Sequence, residues 1–248
     1  TKKLNAADRD VTDHAGAWSK VKGAIAGAAA AMGVNKIIGL ADSMTTTKAR
    51  LDLMNDGLQT TEELQNKIMA SANRSRALYQ TTADAVSKMG IMAKDAFGSN
   101  DELVQFSELI NKQFTIAGTS AGGIDAAMLQ LTQAMSSGVL RGEELNSVFE
   151  QAPTIIQTIA DYLNVPIGKI REMAADGQIT STIVKNAMLS SADEINKKFE
   201  SMPMTFAQVG TVTANMLLKA FNPALQAIGK GAQWIYDNIL DTTTIIIN

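Results

Sequence analysis

Between residues 129 and 188 no helix can run for long. Gly138, Gly142, Pro153, Pro166 and Gly177 interrupt short helical patterns at close intervals. Glycine enters left-handed backbone without steric cost, and proline lacks the N–H that a helix interior needs. The pattern predicts small helices over 123–137, 143–150, 153–163, 166–175 and 181–199. Gly138 and Gly142 bracket Val139, Leu140 and Arg141, so the chain turns sharply and tucks Leu140 beneath the next helix. Pro153 and Pro166 suit first-turn positions. Asp176 and Gly177 form a turn, and Thr180 caps the helix after it. Ile124, Met128, Leu131 and Met135 face inward on the first helix, and Leu145, Val148 and Phe149 recur at helical spacing on the second.

The same stretch carries an ordered series of residues: Gln130, Gln133, Ser137, Gly138 and Leu140; then Gly142, Glu144, Leu145, Glu150 and Pro153; then Gly177, Ile179 and Thr180. No single piece is specific, but the series resembles the compact helical domain of the tape measure proteins of long-tailed bacteriophages and prophages. The likeness extends more loosely from about Leu51 to Phe221. It implies a structural role for the signature residues and not a catalytic one.

The 248 residues carry a net charge of −3, which leaves no basic footprint for gripping phosphates. There is no cysteine, and His14 is the only histidine, so thiolate chemistry is excluded and a Ser-His-Asp relay would have to use His14. Neither metal nor cofactor is expected. Glu143, Glu144 and Glu150 are the one carboxylate group that suggests enzymatic work, but few aromatics exist to line a sugar cleft. First-turn glutamates meet the positive end of a helix dipole, which is the structural reading. The loop 117–123, AGTSAGG, follows a helix and precedes no lysine, so it reads as a hinge or surface loop and not as a phosphate cradle.

Ahead of this region, Leu4, Ala7, Val11, His14, Trp18, Val21, Ile25, Ala28, Met32 and Asn35 alternate in steps of three and four, the spacing of a coiled-coil seam. Gly16, Gly23, Gly27 and Gly33 weaken it. An amphipathic helix lying on its own domain fits the same residues. The run 23–34, GAIAGAAAAMGV, reads as an alanine-lined packing surface, too short for the roughly 20 apolar residues of a membrane span.

Asp56 and Gly57 signal a turn, and Thr60 with Glu63 forms a capping box. One stripe then runs from Leu64 through Ile68, Ala72, Ser75, Tyr79, Thr82, Val86 and Met89 to Ala93, which predicts a single helix to about Lys94. Arg74, Arg76 and Lys88 read as its solvated flanks. Ser99 with Glu102 forms a second capping box that opens the next helix, whose buried side is Leu103, Phe106, Leu109, Ile110 and Phe114. Thr205 and Gln208 form a third capping box, before a face of Phe206, Val209, Met216, Leu217 and Ala220. Asn222 and Pro223 predict another break and then a last helix. The terminal TTTIIIN favours a strand or linker.

The fold class is therefore all-α: a multi-helix compact domain over 57–222, a long N-terminal helical arm over 1–56 able to form a coiled coil, and a following segment over 223–248. The chain reads as a piece of something longer. The resemblance implies a structural phage tail protein that sets tail length during assembly, occupies the tube lumen and takes part in DNA ejection. Its partners would be tail tube subunits, tail assembly chaperones and tail-tip or baseplate proteins, in a host cytoplasm during assembly and then in the virion. Self-association, favoured as a trimer, would use Leu4, Val11, His14, Trp18, Val21, Ile25 and Met32. The alternative functions are a membrane-inserting or pore-forming helical protein acting through residues 23–40, and an embedded cell-wall hydrolase module.

Overall fold

The computed structural model describes residues 34–235, and among these it is all-α. The expected seam from Leu4 to Met32 and the terminal TTTIIIN lie outside the described residues. The helices are α1 (Val34–Met54), α2 (Thr61–Arg74), α3 (Tyr79–Met92), α4 (Asn100–Ala117), α5 (Ala121–Ser137), α6 (Gly142–Gln151), α7 (Pro153–Leu163), α8 (Ile167–Ala175), α9 (Ser181–Ser190), α10 (Ala192–Glu200) and α11 (Phe206–Ile235), with one 3-10 turn at Lys94–Ala96. The chain divides into two compact units. Among the described residues, one is Thr47–Asn215, and the other combines the part of the chain before Thr47 with the part from Met216 onward.

Within Thr47–Asn215 the organising element is α4, which packs against α2, α3, α7, α9 and α10. Leu103, Phe106, Leu109, Ile110 and Phe114 are buried on it, as the sequence predicts. Its remaining surface is largely covered too, so polar residues are trapped there and find partners. Asn111 donates to Thr82 Oγ1 at 3.0 Å, and Gln113 donates to Thr158 Oγ1 at 2.8 Å.

Local capping signals fold as read. Thr60 accepts from the Glu63 N–H while Glu63 accepts from the Thr60 N–H. Thr205 and Gln208 make the same reciprocal pair. The box at Ser99 is altered: Ser99 accepts from the Glu102 N–H, but the Glu102 carboxylate turns to the N–H of Gly98 instead of that of Ser99. In the loop 117–123, Gly118 takes the left-handed C-cap of α4 and Ser120 caps α5, so the expected hinge is a pair of helix caps back to back. Pro166 is an N-cap and not a first-turn residue, and the predicted helix over 181–199 is interrupted at Ser191.

The predicted single helix over 60–94 is two helices, α2 and α3. A Schellman motif ends α2: Ala77 N–H donates to Ala72 O at 2.9 Å and Arg76 N–H to Asn73 O at 3.2 Å. The left-handed position is filled by Arg76, at φ 56°, where no glycine announces it. The same motif closes α4 at Gly118, α7 at Asn164 and α8 at Gly177 with the residues that tolerate it. Arg74, Arg76 and Lys88 are not free flanks either. Arg74 pairs with Glu108, Lys88 pairs with Asp84, and the Arg76 guanidinium lies 4.4 Å from the centre of the Phe199 ring.

The predicted break at Asn222 and Pro223 is absent, because α11 runs through Pro223. The turn after the proline carries Ala224 and Leu225, both buried, and burial of a leucine is worth about 1.5–3 kcal/mol, comparable to the cost of an interior proline. In this second unit Ile37, Ala41 and Met44 are also buried at helical spacing on α1. Gly229 lies so close to α1 that a Cβ there would sit 2.6 Å from Thr45 Oγ1.

Candidate functional site

Four of the signature residues, Gly138, Leu140, Ile179 and Thr180, come from two distant stretches and meet in one crossing. Gly138 ends α5 at φ 85°, and Gly142 opens α6 at φ 46°. Between them the chain runs extended and pairs with the segment before α9 in a single antiparallel bridge, Val139 with Thr180. Leu140 N–H donates to Ile179 O at 2.8 Å, and Ser181 N–H donates to Gly138 O at 2.8 Å. Leu140 and Ile179 are buried at this crossing, and Leu145 is buried in the first turns of α6. Thr180 accepts from the Ile183 N–H and caps α9, while Pro153 sits in the first turn of α7. Helices α6, α7 and α8 therefore form a loop of chain closed at its base by backbone hydrogen bonds.

Glu144 lies in the first turn of α6, where it suits the helix dipole. Glu150 does not share that role, since it is exposed in the last turn. Phe149 is half-buried and not a core residue; the Arg171 guanidinium covers its ring at 4.3 Å. Gly177 is constrained twice, by φ 70° and by Arg141, whose Nη2 would lie 3.0 Å from an added Cβ. Gly177→Ala should cost about 1–2 kcal/mol from left-handed strain alone. Thermal melts of the full chain check this; a variant as stable as the parent would show that the turn relaxes freely.

The second polar feature is a groove of about 400 Å³ between α2 and α4. Two ion pairs cross it in register, Lys67 with Asp101 and Arg74 with Glu108, so the helices run parallel there. Lys67 and Asp101 are exposed and contribute little. Glu108 is different: only 11% of its side chain is exposed. Arg74 grips it through Nε at 3.1 Å and Nη2 at 2.6 Å to Oε2. Lys112 donates to its Oε1 at 2.7 Å, and to Asn196 Oδ1 also at 2.7 Å. Burial pushes the Glu108 carboxyl up, but its bonds to Arg74 and Lys112 outweigh this and hold it below the ordinary glutamate value. Such a set holds three helices in register. Its carboxylate is saturated with donors, which suits a structural tie and not proton transfer.

The sequence alone does not reveal this cluster, because Arg74 and Asn196 stand far along the chain from the Glu108–Lys112 pair. Asn215 is likewise invisible in the sequence: its side chain spans the junction of α2 and α3. Among the described residues no group of His, Cys, Asp or Glu is placed to hold a metal ion, and no helix is long and apolar enough to cross a membrane.

Compared with known proteins, residues 35–230 match a family model described as "Tape measure protein". No curated protein and no solved structure matches the chain.

Proposed function

The chain belongs to the tape measure protein family, a family of structural phage tail components, and from that premise we propose that residues 47–215 are a folded docking unit of the tail machinery and not a measuring rod. The observation that supports this is the overlap of the family match, 35–230, with the compact helical unit Thr47–Asn215. A ruler adds length in proportion to sequence, at about 1.5 Å per residue for a continuous helix. A chain that turns back at Arg76, Gly118, Gly138, Asn164 and Gly177 does not add length that way.

On this reading the whole protein sets tail length and occupies the tube lumen during assembly, leaving before DNA passes. This part holds an end of it against tail tube, chaperone or tail-tip proteins. The N-terminal arm from Leu4 to Met32 joins copies of the chain, as a trimer, through its heptad spacing.

In-frame removal of residues 47–215 from the phage or prophage gene tests the reading, with tails measured by electron microscopy. The expected result is failure of assembly, or tails of unchanged length. Tails uniformly shorter by about 250 Å, the length of the deleted segment as one helix, would make this segment part of the ruler and overturn the proposal. Purified tails lacking the chain in an immunoblot would overturn the structural role itself.

A further inference from the structure

The stretch from Met202 to Asn215 is fastened to its unit by polar contacts. No residue over 203–214 is buried, and Phe206 is 98% exposed. Asn215, at 2% exposure, is the exception. Its Oδ1 accepts the N–H of Tyr79 at 2.8 Å, and its Nδ2 donates to Ala77 O at 2.8 Å and to Asn73 Oδ1 at 2.9 Å. One amide thus caps the start of α3 and satisfies a carbonyl in the turn after α2. Arg76 makes the second fastening. Its Nη2 donates to Met202 O at 2.9 Å and its Nη1 to Gln208 Oε1 at 3.3 Å. Gln208 is itself held by the capping box with Thr205. Arg76 is also kept in left-handed backbone, at φ 56°, a conformation that residues other than glycine rarely adopt.

We propose that residues 202–215 form a releasable strap, fastened by the polar contacts of Asn215 and Arg76 and not by packing, whose opening uncovers the junction between α2 and α3. No side chain over 203–214 is buried, so once these few directional hydrogen bonds break no packed surface remains to hold the segment. Attachment of this kind gives a two-state element, closed or open. Its position suits release by displacement of the chain: Asn215 lies within α11, which continues beyond this unit to Ile235, so a displacement of that helix is transmitted to the bonds that close the strap. Opening frees the Tyr79 N–H and the Ala77 carbonyl and leaves the strain at Arg76 unsupported.

Hydrogen exchange read by mass spectrometry on the full chain tests this. In the parent, amides over 203–214 should exchange together and at least ~100-fold faster than those of α4, as expected for an element that opens on its own. Asn215→Ala should speed exchange of the peptide containing Tyr79 by ~10-fold or more, the factor for about 1.4 kcal/mol of lost hydrogen bonding, and leave α4 unchanged. Arg76→Ala, which leaves the Tyr79 bond intact, should speed exchange over 202–209 by a similar factor, and it carries the test if Asn215→Ala does not fold. Protection over 203–214 equal to that of α4 would overturn the proposal. So would a variant that accelerates α4 by the same factor as the strap, because the segment would then open only with the whole unit.

Discussion

Leu140→Ala is expected to lower the unfolding free energy by about 3–4 kcal/mol, within the usual range for a buried leucine. Leu140 is 1% exposed, and its backbone N–H is bonded to Ile179 O at 2.8 Å. The main chain at 140 is therefore pinned by the crossing and cannot move in to fill the space left by the side chain. Sites that cannot collapse sit toward the costly end of the leucine series. Urea unfolding followed by circular dichroism measures the loss. Leu129→Ala is the matched control, since Leu129 is 47% exposed on the preceding helix, and its cost should stay below about 1 kcal/mol. Equal effects at the two positions would show that the crossing is not a packing centre.

Glu108→Gln should cost about 3 kcal/mol, the lower end for breaking a buried pair, because the groove is open on the Arg74 side. Arg74, with 59% of its side chain exposed, can hydrate when its partner is gone. Lys112 cannot: only 9% of its side chain is exposed, and it would keep neutral acceptors but lose the carboxylate that balances its charge. Most of the loss is therefore the cost of a stranded ammonium group. It follows that Glu108→Leu combined with Lys112→Met should recover most of the stability lost in the single variant. A single variant no less stable than the double would place the cost elsewhere.

The pH dependence follows with a definite sign. The folded-state Glu108 carboxyl lies below its ordinary value of 4.5. Its contribution is thus fully present above pH 4.5 and disappears as the pH falls through the lower folded value. Glu102 and Asp52 are lowered too and add to the same acid loss, so Glu108→Gln should flatten the decline without abolishing it. Melting temperatures from pH 7 down to about pH 3 would reveal this. Parallel curves for parent and variant would mean that Glu108 is not held in its charged form.

What the sequence determined by itself is the set of features whose energetics close within a few residues. The capping boxes at Thr60 and Thr205, the cap at Thr180 and the left-handed turns at Gly138 and Gly177 depend on dihedral preferences and on bonds reaching three or four positions. So does the apolar stripe of α4, and with it the all-α class. The ordered signature was legible for the same reason, because it records where the chain must turn.

Only the tertiary structure decided the rest. The stripe from Leu64 to Ala93 is locally a sound helix, and nothing near Arg76 forbids it from continuing. It bends because Asn215, Met202, Gln208 and Phe199 gather at the bend, more than a hundred residues along the chain. Pro223 is locally a helix breaker, and α11 passes through it as the following turn is buried. The apolar face from Phe206 to Leu217 has the pattern of a core helix, yet Phe206, Val209, Met216 and Leu217 are exposed. Periodicity says which residues share a side of a helix; whether another element covers that side depends on contacts that no local pattern encodes. The same holds for the carboxylates. Glu143, Glu144 and Glu150 cluster in the sequence, whereas Glu108 acquires its tie only when folding brings Arg74 and Asn196 beside it.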